Sequence, residues 1–292
     1  MLNLFQHLFL CYNIPMTFIA ASERTFPMIE EFLAPYEYKC VTLASHIRKK
    51  DEHIFIISQS DSVQTSSDIV GVFYFDKTLL HCIPKIEPVM VEKFLTFFEG
   101  KNIRCINGDS TVTDFFLSIL KTKGIEPYHT NHYKLMILKD DPVSPPEPLS
   151  CDDEIHRCYD SDFDSLFELQ KKYIVKEVAP AGKQVSDLEC SASLHQILKN
   201  QLCFALCSDD EIVAKANTNA IGIHWVQLGG VYTHPLYRKN YYAWNLVYAI
   251  CCRIRKTSRN VCLFVKDKNN PALKLYERIG FEEKCDFEIS YF

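Results

Sequence analysis

The stretch GGVYTHPLYRKNYYAWNLVYAICCRIR, residues 229–255, sets a strand end, a basic turn and a helix start in immediate succession. Gly229 and Gly230 interrupt the apolar run WVQLGGVYT of 225–233. Glycine inside a strand forfeits packing and marks a bulge or a close backbone approach. The pair is expected to let this strand splay from a neighbour and leave backbone groups of Val231 and Thr233 open to a ligand. His234-Pro235 stops the strand, Arg238, Lys239 and Asn240 follow, and helical spacing begins near Tyr242-Ala243. A helix N-terminus carries unpaired N–H groups and partial positive charge, and two basic residues add full charge. That combination suits a phosphate or pyrophosphate. An ordinary strand–loop–helix connection with surface basic residues reads the same way on composition alone.

The chain has 292 residues, 47% hydrophobic and 24% charged, a composition of soluble globular proteins long enough for two domains. A net charge of −5 speaks against a general nucleic-acid or anionic-membrane binder while permitting a local basic pocket. The 13 cysteines are scattered, with no C-x-x-C pair, so zinc spacing is not legible and no metal is expected. They read as free thiols in a reducing cytoplasm. The opening MLNLFQHLFLCYNIPMTFIAAS lacks a Lys or Arg before its apolar run and is broken by Gln6, His7, Asn13 and Pro15. Residues 1–27 are therefore expected to be a leader of uncertain order, not a membrane span.

DDPVSPPEPLS, 140–150, holds four prolines among acidic and small residues and reads as a stiff, solvated linker. The expected division is 28–140, a linker at 141–150, and 151–292. In the front part, helical material occupies 27–49, broken at Pro35. A strand at 53–59, a hairpin at 69–83 turning at Asp76-Lys77, a helix at 89–101, a strand at 102–108, a helix at 112–124 and a closing strand at 132–138 follow. The back part starts again with a strand at 154–159 and helices in 160–178 and 191–201. A hairpin turns at Asp209-Asp210. Then come the strand 225–233, a helix from 242, a strand at 261–265, a short helix at 271–280 and a final strand. Both parts run hairpin, helix, strand, helix closed by glycine, strand, which suggests a tandem duplication. The fold class is α/β (α+β), each domain a mixed, mainly antiparallel sheet flanked by helices.

NNPALKLYERIGFEE, 269–283, resembles the N-x-x-A-x-x-L-Y-x-x-x-G-F pattern of the GCN5-related N-acetyltransferase (GNAT) superfamily, with Asn269, Ala272, Leu275, Tyr276, Gly280 and Phe281 in place. That superfamily's other signature is Arg or Gln, two residues, Gly, one residue, then Gly or Ala. It falls on Arg238-Lys239-Asn240-Tyr241-Tyr242-Ala243, one helix and one strand earlier. The resemblance covers about 151–292. The front part is similar to the degenerate acetyltransferase-like domain that precedes the active one in bacterial tandem members. The implied domains are both acyl-CoA N-acyltransferase-like, with the coenzyme A motif in the second alone.

The resemblance implies an N-acetyltransferase, moving an acyl group, most simply acetyl, from acetyl-CoA as co-substrate to a small-molecule or peptide amine. Cofactor-binding residues would be Val231, Tyr232, Thr233, Arg238, Lys239, Asn240, Tyr241, Tyr242, Ala243, Asn269, Ala272 and Tyr276. The Val231 N–H would polarise the thioester carbonyl and Tyr276 would protonate the leaving thiolate. Asn269 would bond the pantetheine arm or cap its helix. Glu177 and His224 are candidates for the base, and Tyr173, Trp225 and Tyr232 for the acceptor wall. Neither nucleic acid nor a membrane is an expected partner; a second copy, as a homodimer, is admitted. One residue departs from the motif. Tyr241 stands where the pattern has glycine, so if φ must be positive there, either Tyr241 is strained or Asn240 takes over the turn. The departure keeps open a non-catalytic acyl-CoA-binding module, and the tandem arrangement an aminoacyl-tRNA-dependent transferase.

Overall fold

The computed structural model describes residues 16–179 and 184–292, so most of the expected leader lies outside them. Among the described residues twelve strands form one sheet: β1 (Thr17–Ala20), β2 (Ile54–Ser58), β3 (Ile69–Asp76), β4 (Thr78–Cys82), β5 (Cys105–Asp109), β6 (His129–Leu138), β7 (Asp153–Arg157), β8 (Cys203–Ser208), β9 (Glu211–Ile221), β10 (Trp225–Thr233), β11 (Asn260–Lys266) and β12 (Phe281–Tyr291). The helices are α1 (Phe26–Leu33), α2 (Val41–Arg48), α3 (Met90–Phe97), α4 (Ser110–Lys121), α5 (Phe163–Tyr173), α6 (Asp187–Asn200), α7 (Tyr242–Arg255) and α8 (Asn270–Ile279). Thr17–Ala20, which the sequence reading leaves in the leader, pairs antiparallel with β2 at the sheet edge.

The strand order is β1-β2-β3-β4-β5-β12-β6-β11-β10-β9-β8-β7. Read backwards with every strand renumbered six places on, the order maps onto itself, the symmetry a tandem duplication leaves. The two sixth strands are exchanged. β12 pairs with β5, from Phe287↔Asp109 to Tyr291↔Cys105, and β6 pairs with β11, from Leu138↔Val261 to Tyr133↔Lys266. They pair with each other at the centre. The strand expected to close the front part thus closes the back part, and the reverse. Both are long enough to pair on each side, and the exchange interlocks the halves into one sheet.

Helices cover both faces. An aromatic core of Phe73, Phe94 and Phe116 fills one side of the front half, while α1 and α2 bury Ile29, Leu33 and Ile47 on the other. In the back half Val247, Ile250 and Ile254 of α7 and Ile279 of α8 pack on Leu228, Val261 and Leu263. The proline-rich linker is less solvated than its composition suggests. The Val143 N–H donates to Ile279 O at 2.9 Å, and the Trp244 indole donates to Val143 O at 3.0 Å. Arg255 Nη2 donates to the Leu138 and Asp140 carbonyls just before it. Among the described residues no helix is long and apolar enough to cross a membrane.

Candidate active site

The site begins where β10 leaves β11. Their parallel register runs from Trp225↔Asn260 to Leu228↔Leu263 and goes no further. On its other side β10 stays paired with β9, but the register shifts between Gly229↔Asn217 and Tyr232↔Lys215, so two residues face one. This is a bulge, centred on Gly230 at φ +59°. The Tyr173 hydroxyl lies beside the Gly230 N–H, and the Gly230 carbonyl accepts from Lys215 Nζ at 3.0 Å. Lys215 also donates to Asn217 Oδ1 at 2.8 Å and lies 5.0 Å over the Tyr173 ring. A strand lysine fully removed from solvent is no surface charge, and burial pulls it down to about 8. The sequence shows only an alternating EIVAKANTNA run here, and the burial of this one lysine is invisible in it.

Beyond the splay opens a cleft of about 1070 Å³. It brings together Val231, Tyr232, Thr233, Arg238, Lys239, Tyr241, Tyr242, Ala243, Asn269, Ala272 and Tyr276, all expected from the motifs, while Asn240 does not line it. Glu177 and Tyr173 line it as well. His224 does not: it sits in the β9–β10 turn, its N–H bonded to Glu37. Trp225 turns to Tyr38, ring centroids 5.7 Å apart, instead of facing an acceptor. Sequence reasoning missed Lys176, Lys266, Lys268, Lys274 and Arg278, which join Arg238 and Lys239 in the wall. Among the described residues, seven basic residues and one carboxylate, Glu177, line the cleft, in a chain of net charge −5. The helical spacing of Lys274 and Arg278 would have found two of them. Tyr133, Ile289 and Tyr291 enter from the exchanged strands, so the front half contributes to the wall.

Tyr276 is 8% exposed, and burial pushes its phenol well above the ordinary range. It stays protonated across physiological pH. Asn269 caps α8, its Oδ1 accepting from the Ala272 N–H at 3.3 Å, and Gly280 ends the helix. Arg238 folds back, Nε donating to Thr233 O at 3.2 Å with its guanidinium 5.8 Å from the Tyr232 ring.

Tyr241 takes the glycine's conformation itself. It is the residue before α7, at φ +56° and ψ +10°, and Lys239 is also left-handed at φ +70°. Asn240 does not take over the turn. Left-handed backbone costs a residue with a side chain about 1–2 kcal/mol, partly offset by the entropy that glycine loses on folding. Tyr241→Gly is therefore expected to stabilise the protein by about 0.5–1 kcal/mol, read as a higher thermal midpoint. A lower midpoint would show that the tyrosine ring, 6.4 Å from Trp244, outweighs the strain.

The matching place in the front half is plugged. There β4 and β5 part after Leu80↔Asn107, and the next residue is His81. Its imidazole is buried, 3.1 Å from Thr113 Oγ1 and 5.3 Å from the Phe116 ring. A Cβ at Gly108 would overlap it. A void beside it, lined by Leu80, His81 and Asn107 among others, is about 10 Å³, room for about one water.

Comparison with known proteins agrees with this architecture. Residues 210–289, which hold β10, the basic turn, α7 and α8, match the family model FR47-like protein. No curated protein matches the chain in sequence. A Drosophila protein of solved structure is 12% identical with a TM-score of 0.67, covering 94% of this chain and 98% of that one. A GCN5-related N-acetyltransferase from Sphaerobacter thermophilus is 13% identical with a TM-score of 0.58, covering 96% and 95%. A tandem GNAT protein from the clavulanic acid biosynthesis pathway is 9% identical with a TM-score of 0.58, covering 94% and 97%. From end to end of its described residues, the chain has the two-domain fold of the tandem GCN5-related N-acetyltransferases.

Proposed function

We propose that the protein is an acyl-CoA-dependent N-acyltransferase, transferring an acyl group, most simply acetyl, to an amine. The observation that carries this reading is the junction of a splayed strand pair, a buried phenol and a basic wall in one cleft. Arg238, Lys239 and the α7 N-terminus would hold phosphate, with Lys268, Lys274 and Arg278 opposite. The free edge of β10 past Leu228 would hold the amide-bearing arm as an added strand. The Val231 N–H would donate to the thioester carbonyl as negative charge develops on its oxygen. The amine nitrogen bonds the carbonyl carbon, the carbon–sulfur bond breaks, and Tyr276 donates to the departing sulfur. Glu177, or water, receives the amine proton. The free thiols among the described residues favour a cytoplasmic setting.

The test is calorimetric titration with acetyl-CoA. Wild type is expected to bind in the micromolar range and Arg238→Ala to bind at least about fivefold more weakly, as loss of a charge-assisted bond requires. Tyr276→Phe is expected to lower the acyl-transfer rate at least about tenfold while sparing binding. No binding by wild type would overturn the reading. Binding without turnover on any amine would leave the non-catalytic alternative, to which Tyr241 in the motif's glycine position points.

A further inference from the structure

A second group of reactive side chains lies on the far side of β9 from the cleft. His156, Cys158 and Asp162 each offer one donor atom, and the three atoms lie within 4.8 Å of one another. Cys158 and Cys203 continue the β7–β8 register beyond Arg157↔Phe204, the Cys158 N–H donating to Cys203 O at 2.8 Å, so they stand opposite on one sheet face with their thiols close enough to interact. Both thiols are buried, whereas the His156 and Asp162 side chains are 31% and 28% exposed and able to adjust. We propose that His156, Cys158, Asp162 and Cys203 form a zinc site that pins edge strand β7 to the start of α5.

The donor set is of the right kind. Thiolate, imidazole and carboxylate in fours select Zn²⁺, and bond lengths of about 2.0–2.3 Å set tetrahedral donors about 3.5 Å apart. His156 Nε2 and Asp162 Oδ1 are 4.0 Å apart, a short contraction from that spacing. The outer contacts already aim the ligands. Asp162 Oδ2 accepts the Tyr159 N–H at 2.7 Å, which turns Oδ1 toward the imidazole. The other ring nitrogen, His156 Nδ1, is 3.8 Å from Cys207 Sγ, so a weak partner fixes the ring.

Lys215 supplies an independent argument. Its buried ammonium bonds two neutral oxygens, and among the described residues no carboxylate pairs with it. The thiols of Cys203 and Cys158 lie close enough to act on its charge. A buried ammonium without a counter-charge is costly. One Zn²⁺ held by two thiolates, one carboxylate and a neutral imidazole is a net monoanion beside that ammonium. The zinc would thus complete the charge balance behind the Gly230 bulge. The sequence hides the set because its ligands come from two strands and a turn, with no C-x-x-C.

The test uses the full chain, stripped with a chelator under reductant and titrated with Zn²⁺ against a chromophoric competitor. The expected result is one equivalent bound, a raised thermal midpoint, and affinity lowered at least about tenfold in His156→Ala and in Asp162→Asn. Cys158→Ser disturbs a buried site, so those two partly exposed positions carry the test, with circular dichroism confirming that they fold. No stoichiometric binding by wild type would overturn the proposal. So would an equivalent bound alike by wild type and both variants, since that assigns the metal to other thiols. The readout involves no acyl-CoA, so its failure leaves the acyltransfer reading standing.

Discussion

Glu37→Ala is expected to lower the unfolding free energy by about 3–5 kcal/mol, because it leaves three buried donors without an acceptor at about 1–3 kcal/mol each before relaxation. Glu37 is fully buried in the turn before α2. Its carboxylate accepts the N–H groups of Ile223 at 2.7 Å, His224 at 2.9 Å and Trp225 at 3.0 Å. Three successive backbone donors form a concave anion site, and here the anion is built in. The turn that donates joins β9 to β10 in the back half, while the carboxylate comes from the front half. Gly222 fits the arrangement, since a Cβ there would overlap Glu37 Oε1. The interaction thus locks the halves together at the root of the strand that carries the cleft. Glu37→Gln keeps an acceptor but loses the charge, so its loss should be smaller. Urea unfolding of the two variants checks the order. A change below about 1 kcal/mol in Glu37→Ala would mean that water satisfies the turn as well as the carboxylate does.

The elements of this fold that rest on local pattern were legible. Asp76-Lys77 and Asp209-Asp210 mark hairpin turns and take positive φ at Lys77, Asp209 and Asp210. Pro271, Asn269 and Gly280 bound α8 as their chemistry dictates. The two motif stretches converge on one cleft because a helix and a strand of ordinary length separate them. What depended on distant pairing was not legible. Residues 129–138 and 281–291 both read as closing strands, and nothing in either says which half it will close. Glu37 reads as one acid among many, since its three partners lie almost 190 positions away. His81 reads as a strand residue, and only the parting of β4 and β5 makes it a plug. Tyr241 was legible as a conflict, but the backbone resolves it by accepting the strain in place.

Gly230→Ala is expected to lower stability by about 2–4 kcal/mol and to lower acyl transfer at least about a hundredfold. Two costs add. Alanine at φ +59° is strained by about 1–2 kcal/mol, and its Cβ would overlap Asn217 Oδ1. That oxygen cannot swing away freely. It accepts from Lys215, and the amide nitrogen donates to Thr218 O at 3.0 Å and Asn219 Oδ1 at 3.1 Å. Displacing Asn217 strips the buried ammonium of one of its two acceptors and moves the bulge on which Val231 rides. A shift of about 1 Å in a positioned donor is worth about a hundredfold in rate. Gly124→Ala separates the two costs. Gly124 has φ +73°, yet nothing lies within 4 Å of a Cβ there. It should lose about 0.5–1 kcal/mol, backbone strain less the entropy that glycine loses on folding, and leave acetyl-CoA binding unchanged. Denaturation and acetyl-CoA titration of both variants decide the matter. If Gly230→Ala binds and turns over like Gly124→Ala, the bulge is a structural kink and the carbonyl donor must be sought elsewhere in the cleft.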